Sequence, residues 1–552
     1  MFRTLYIPLV VLALFAGSIY AQPSPLGGKD TLVLENERIE DIVESEKPFQ
    51  KPPYQEIPKT NKENIQYSSK DVYVATEFEP APPDIREMDR KKKEVYTHNF
   101  IKVGVGRYVT PLVQVHAYSG PGKDLAYGLD FTHLSAHQDK IPLRRFREDY
   151  GSLRLGASTD EFTLGGRAFF YNTSYFNYAD TVFSGNETAR EDSLGTGFTR
   201  MAFEVDLFSN HPERTGLHYN ATAGTRLVGE NRGSREGQFF VLPNVGYRIN
   251  DMFSVDLLGN LTFASGRTIG KIQNRLYVDL APRLAITNDA LGLNLGFRFN
   301  YFANSLDTAN FLNLGPDIQL TYEISPDAFT LLAGYTVGMT PNFYNDLIAE
   351  NRYLGGSFLM KPTVEKMHIY LGARGSVNKQ VDFSARLYYK RLQNALIYRT
   401  GDGVYFQPAF DSLTTVTGGH FEVNYDLQGD IKLGAALNVN VYNTSDNEGL
   451  TPVYFHATPI RLDVFGSYVW KENLTAKGEL LFYGPTPMFL DEAGDIVNRG
   501  VFPNVNASVD YRITKGFSVF LWVNNLLNVN YQRWYNYPER RIDFRGGVTV
   551  SF

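Results

Sequence analysis

The sequence predicts an all-β protein: a transmembrane antiparallel β-barrel of about 22 strands behind a disordered N-terminal tail rich in proline and charge. Three observations carry this expectation. Two-residue alternation returns again and again from residue 97 to Phe552, the links between the alternating segments are by turns short and long, and the chain opens on an apolar leader.

The leader comes first. Arg3 precedes the apolar run Leu5 to Phe15, followed by Ala16-Gly17-Ser18 and Ala21, which is the charged, apolar, small-residue order of a secretory signal peptide over residues 1–21. The run is too short to span a bilayer as a helix, and no later stretch reaches the roughly 20 apolar residues needed. With no cysteine, the chain has neither disulfides nor a thiolate metal site.

Residues 22–96 are different. Lys47-Pro48-Phe49-Gln50-Lys51-Pro52-Pro53 and Glu79-Pro80-Ala81-Pro82-Pro83 typify a stretch that holds about a third of the 27 prolines. Such a composition cannot bury a core and reads as a disordered periplasmic tail. The run Arg90-Lys91-Lys92-Lys93 closing it is a solvated charge cluster.

From residue 97 onward the reading is barrel. In Ile431-Lys432-Leu433-Gly434-Ala435-Ala436-Leu437-Asn438-Val439-Asn440-Val441 the odd positions are apolar throughout. Val381 to Leu387, Ile460 to Val464 and Val505 to Ile513 repeat the pattern. The chain ends on another such strand: Ile542, Phe544, Val548, Val550 and Phe552 lie on one face, and Arg541, Asp543, Arg545, Thr549 and Ser551 on the other. In a membrane barrel the apolar face meets lipid and the polar face lines the lumen, which makes Asp510, Arg512, Asp543 and Arg545 lumen-facing candidates.

Short links fall near Gly120-Pro121-Gly122, Thr159-Asp160, His211 to Glu213, Asn250-Asp251, Asn288-Asp289, Ser325 to Asp327, Asn378-Lys379, Gln428 to Asp430, Lys471 to Asn473 and Thr514 to Gly516. Mostly longer polar links lie between them, among them Gln138 to Glu148, Asn177 to Gly195, Gly229 to Gly237, Ser265 to Gln273, Thr340 to Lys361, Thr400 to Ser412 and Tyr535 to Arg540. A tight turn near Arg107 to Thr110 completes the series. Short periplasmic turns alternating with longer external loops place both termini in the periplasm of a Gram-negative outer membrane.

Within the external loops, Leu143-Arg144-Arg145-Phe146-Arg147, Asn231-Arg232-Gly233-Ser234-Arg235 and Tyr535-Asn536-Tyr537-Pro538 concentrate arginine and tyrosine. Exposed residues of these types suit recognition, so Arg144, Arg145, Tyr535 and Tyr537 are outer-loop candidates; arginine there equally suits the anionic headgroups of outer-membrane lipid. The net charge of -6 argues against a nucleic-acid partner. His133 and His137 are spaced for a metal only on a helix, and on a strand that spacing holds them apart. No motif for a cofactor is present, and the nine histidines are scattered without a serine-histidine-acid pattern, so no enzyme is expected.

The closing region, Val505 to Asn528 and on through Tyr531-Gln532-Arg533-Trp534-Tyr535-Asn536-Tyr537-Pro538 to Phe552, resembles the last strands of TonB-dependent receptors. Asn525-Leu526-Leu527-Asn528 and Tyr531 stand where that family has its Asn-Leu-Phe-Asp/Asn-like turn and following tyrosine. Near the N-terminus, Lys29-Asp30-Thr31-Leu32-Val33-Leu34 resembles the TonB box, which adds as a strand to TonB's C-terminal domain. The resemblance therefore implies TonB, or another periplasmic or outer-membrane protein, as a partner through Asp30, Thr31, Leu32 and Val33.

One departure stands out. The family carries a folded plug of well over a hundred residues before the first strand, and residues 22–96 do not read as one. The lumen is then open, obstructed by the tail and inward-folded loops, or closed by a partner. Two functions fit: a plug-less translocation channel, or a non-transporting barrel subunit of an outer-membrane assembly.

Overall fold

The computed structural model describes residues 99–552 apart from short stretches in the links, of which 181–193 and 446–455 are the longest. Twenty-two strands form one sheet in which every sequential neighbour is antiparallel. The sheet closes on itself: Asn99–Gly106 pairs with Asp543–Ser551 from Phe100↔Ser551 to Gly106↔Arg545. Closure removes both free edges, the condition for placing β-structure in hydrocarbon. The strand count and the alternation of links agree with the sequence reading.

Alternation decides which face goes where. On Asn99–Gly106, Ile101, Val103 and Val105 are exposed while Phe100 and Lys102 are buried. Along Arg235–Arg248 the exposed apolar residues are Phe239, Val245 and Tyr247, and along Phe253–Thr268 they are Val255, Leu257, Leu261 and Phe263. These exposed apolar residues make up the convex, lipid-facing wall. Both ends of the barrel sheet, Asn99 and Ser551, sit at the rim of short turns, and the opposite rim carries the longer links.

Three long-loop links differ from expectation. Ser265 to Gln273 is no loop: the strand runs to Thr268 and the next begins at Lys271, with Lys271 paired to Thr268. Gly229 to Gly237 shrinks likewise, since pairing persists to Gly229↔Arg235. In both places the strands rise beyond the apolar band, where the outward face is no longer consistently apolar and alternation no longer marks a strand that is still hydrogen-bonded. The link around Thr400 to Ser412, in contrast, has structure of its own, a hairpin of Ala395–Thr400 and Phe406–Asp411.

Candidate functional site

Two parts of the barrel hold chemistry: the concave wall and a cap of inward-folded loops. On the wall, Lys102 and Asp510 meet at 3.5 Å, both buried. Their strands are three steps apart, through Asp543–Ser551 and Phe517–Asn524, or about 14 Å along the sheet. Side chains span that gap only on the concave side, so Asp510 faces the lumen. The Lys102 ammonium also sits 4.8 Å from the Phe520 ring and 5.1 Å from Trp522. Asp543 and Arg545 are buried on the same face and pair at 2.9 Å. Arg512 lies apart from them, half-buried near the short-turn rim, where it donates to the Asn473 side chain at 3.3 Å.

Further pairs extend this belt, none of them singled out from the sequence. Glu204 takes both Arg167 and Arg226, Asp317 accepts from Arg283 at 2.6 Å, and Glu365 meets Lys390 at 3.7 Å. The same alternation that marked Asp543 and Arg545 would have found them: each occupies the polar parity of its strand. The wall thus pairs its charges within a strand or across one to three strands, as buried ions require.

The cap is the larger feature. Residues 341–362, linking Phe329–Thr340 to Thr363–Val377, turn into the barrel mouth and carry a short helix, Tyr344–Glu350. Asn342 starts the inward turn in the left-handed region, at φ 50°. Glu236, on Arg235–Arg248, accepts from the helix-end amides of Tyr344 and Asn345 at 3.0 and 3.2 Å and pairs with Arg275 at 2.7 Å. A carboxylate there satisfies amides that the helix leaves unpaired and complements its dipole.

Across the mouth, Arg352 meets Glu148 at 3.1 Å, and the Tyr175 hydroxyl donates to the Arg352 carbonyl. Gln273 donates to the Phe358 carbonyl at 2.9 Å. Tyr398, on the Ala395–Thr400 hairpin, donates to Glu350 at 2.7 Å. Burial pushes the Glu350 carboxyl up to about 7, against the pull of that hydrogen bond. The Asp346 carboxyl is also raised, again by burial.

The loops share one apolar core: Leu347, Ile348, Leu354 and Met360 pack with Tyr178, Phe198, Phe406, Trp534 and Tyr537. Tyr353 stacks on Tyr537 with ring centres 3.5 Å apart, and Tyr178 meets Tyr537 edge-on at 5.1 Å. With Ile141 and Leu143 packed against the same core, five outer links collapse onto one another over the lumen.

This placement leaves the four loop residues less exposed than the sequence reading assumed. Tyr537 is buried in the cap core and its hydroxyl donates to the Val404 carbonyl. Arg144 is buried, paired with Asp139 and donating to the carbonyls of Pro538 and Glu539 at 3.2 and 3.0 Å. Asp139 loses solvation by burial, yet Arg144 and Arg540 together hold its carboxyl below the usual range. Arg145 lies 4.8 Å from the Phe176 ring, and Tyr535 packs on Phe489 at 3.8 Å, both half-buried. In a mouth this wide, loops bury their aromatics by folding inward, so aromatic loop residues become core.

His133 and His137 are also closer than strand spacing implies, because one hydroxyl bridges them. Ser135 Oγ lies 3.2 Å from His133 Nε2 and 3.1 Å from His137 Nε2, while Asp149 holds His133 Nδ1 at 2.6 Å. Ser135 is completely buried, so its hydroxyl cannot reach a substrate. Among the described residues no group of three potential metal ligands occurs.

A closed 22-stranded barrel with loops folded into its mouth narrows the families to compare. The family profile described as TonB dependent receptor-like, beta-barrel, matches residues 102–526. The chain belongs to this family. Membership assigns the receptor-like barrel to the Gram-negative outer membrane.

Solved structures agree in fold. The FrpB iron transporter from Neisseria meningitidis (F5-1 variant) superposes with a TM-score of 0.64 at 12% identity, covering 82% of each chain. The ferric-catecholate import receptor Fiu from K12 E. coli, in a closed form, gives 0.60 at 11% identity and 82% of each chain. The copper transporter OprC gives 0.57 at 14% identity, covering 82% of this chain and 80% of that one. No curated protein matches by sequence. The TonB-box-like Asp30, Thr31, Leu32 and Val33 lie outside the described residues.

Proposed function

We propose that this receptor-like barrel is a gated transport channel whose long-loop rim faces the exterior, with both termini in the periplasm. The observation that carries the proposal is the segment 341–362, seated across the mouth on Glu236, Glu148 and Gln273. In this reading the cap seals a barrel that works without a folded plug, and its opening admits cargo to a lumen lined by Asp510, Asp543 and Arg545. The similarity to an iron transporter, a ferric-catecholate import receptor and a copper transporter makes metal ions and their chelates the first cargo class to test. TonB, adding a strand at Asp30 to Val33, supplies the work of opening.

Single-channel recording on the purified full chain tests the gate. Intact protein should pass little steady current, and a Glu236→Gln/Tyr537→Ala variant should pass a large one. Free conduction by the intact protein would sink the gate. Silence from both forms, together with fixed partner proteins copurifying in mild detergent, would identify a non-transporting subunit instead.

A further inference from the structure

Two arginines stand side by side on the convex wall near the long-loop rim. Arg235 and Arg267 are direct cross-strand partners and both are exposed. The residues flanking them in the same row are Gly229 and Ile272, so no acid neutralises the pair from either side. Among the described residues neither guanidinium has an ion-pair partner. Like charges directly opposite each other destabilise a sheet, and an anion lying between them would relieve that repulsion.

Their height identifies the anion. Below the pair come Gly237↔Ser265 and then Phe239↔Phe263, the latter two rings 54% and 50% exposed. From Phe239 and Phe263 downward the outward residues are predominantly apolar, so the lipid-facing band ends at that row. Four residues of tilted strand put the arginines about 10 Å above it, at headgroup level.

Phe239 also borders a depression of about 430 Å³ in the same wall. Gly166 and Ala223 form its floor, and Leu155, Phe203 and Val205 stand beside them. Their register explains the hollow: Leu155, Gly166, Val205 and Ala223 follow one another across four strands, small beside large. An apolar furrow on a lipid-facing wall takes a hydrocarbon chain.

We propose that Arg235 and Arg267, with the furrow beside Phe239, bind one anionic membrane lipid, its phosphate between the guanidinium groups and an acyl chain in the furrow. Arginine suits this role because its fork meets phosphate oxygens in pairs. That this is a lipid of the outer leaflet rests on the orientation proposed above, whereas the binding itself does not, so lipid retention and conductance fail independently.

The test is native mass spectrometry of the full chain in neutral detergent, titrated with phosphatidylglycerol or phosphatidylcholine. Phosphatidylglycerol should bind in preference. Arg235→Gln/Arg267→Gln should weaken it about thirtyfold, the effect of two basic residues at an anionic surface, and leave phosphatidylcholine unchanged. Ala223→Trp, which fills the furrow and keeps both charges, should weaken both lipids. Heat-modifiable migration on gels checks that each variant is a folded barrel. Equal phosphatidylglycerol retention by intact and double-variant protein would overturn the proposal. Displacement of the lipid by millimolar inorganic phosphate would reassign the site to free phosphate. A copurifying polypeptide lost with the arginines would reassign it to a partner subunit.

Discussion

Lys102 and Asp510 join the first strand of the barrel to a strand three steps away, past the closing strand and its neighbour, through a contact of 3.5 Å between two buried side chains. The pair braces the seam from within. Lys102→Ala should leave Asp510 buried without its cation and cost about 3–5 kcal/mol. Lys102→Met/Asp510→Leu should recover most of that loss. Urea unfolding of the barrel in detergent, followed by tryptophan emission, measures both, and equal stabilities for the single and double variants would refute the bracing role.

The seam also depends on missing side chains. Gly104 and Gly547 are cross-strand partners, and the Phe520 ring lies over both. A Cβ on Gly547 would stand 2.0 Å from the Val103 carbonyl oxygen, a backbone atom that cannot swing away. Gly547→Val should therefore abolish the heat-modifiable barrel form on gels, whereas Phe520→Ala should only weaken it, by about 3–5 kcal/mol.

Glu236 ties the cap to the wall through two helix-end amides and Arg275. Replacing it with glutamine removes the charge and keeps the shape. The expected result is faster amide exchange across residues 344–350 by about tenfold, from a loss of roughly 1.5 kcal/mol, with barrel strands unchanged. Uniform acceleration throughout the barrel would mean that the residue serves global stability instead.

The cap should also respond to pH. Glu350 titrates near 7 when closed in, raised by burial from an ordinary value of 4.5. The closed form consequently holds more protons than the open one between those values, so its stability falls as pH rises from about 4.5 to 7 and levels off above. The full span corresponds to about 3 kcal/mol. Asp346 is raised in the same sense and adds to it. Open-state conductance should grow across that window, and Glu350→Gln should flatten most of the dependence. An open fraction growing toward acid pH would contradict the assignment.

Much of this architecture was legible because lipid on one side and polar lumen on the other impose strict parity. Ile542, Phe544, Val548 and Val550 alternating with Asp543 and Arg545 reveal both face and fold. Parity fails where the environment is the same on both sides. Arg267 and Lys271 looked like loop residues because strands that continue beyond the apolar band have no continuous apolar face to display. Tyr537 and Arg144 looked exposed because composition cannot say whether a loop points out or in. Their burial comes from contacts with Tyr353, Val404 and Asp139, brought together only by the closed ring.

The pairing of Asn99–Gly106 with Asp543–Ser551 has a consequence for biosynthesis. The first strand of the barrel lacks the partner for one of its edges until the last has been made. A sheet assembled before the last strand joins keeps a bare edge able to recruit any extended segment it meets, so unaided it is exposed to mispairing until closure. Shortening by one strand is correspondingly ungraded: a polypeptide stalled before Asp543 lacks the partner for its beginning as well as its end.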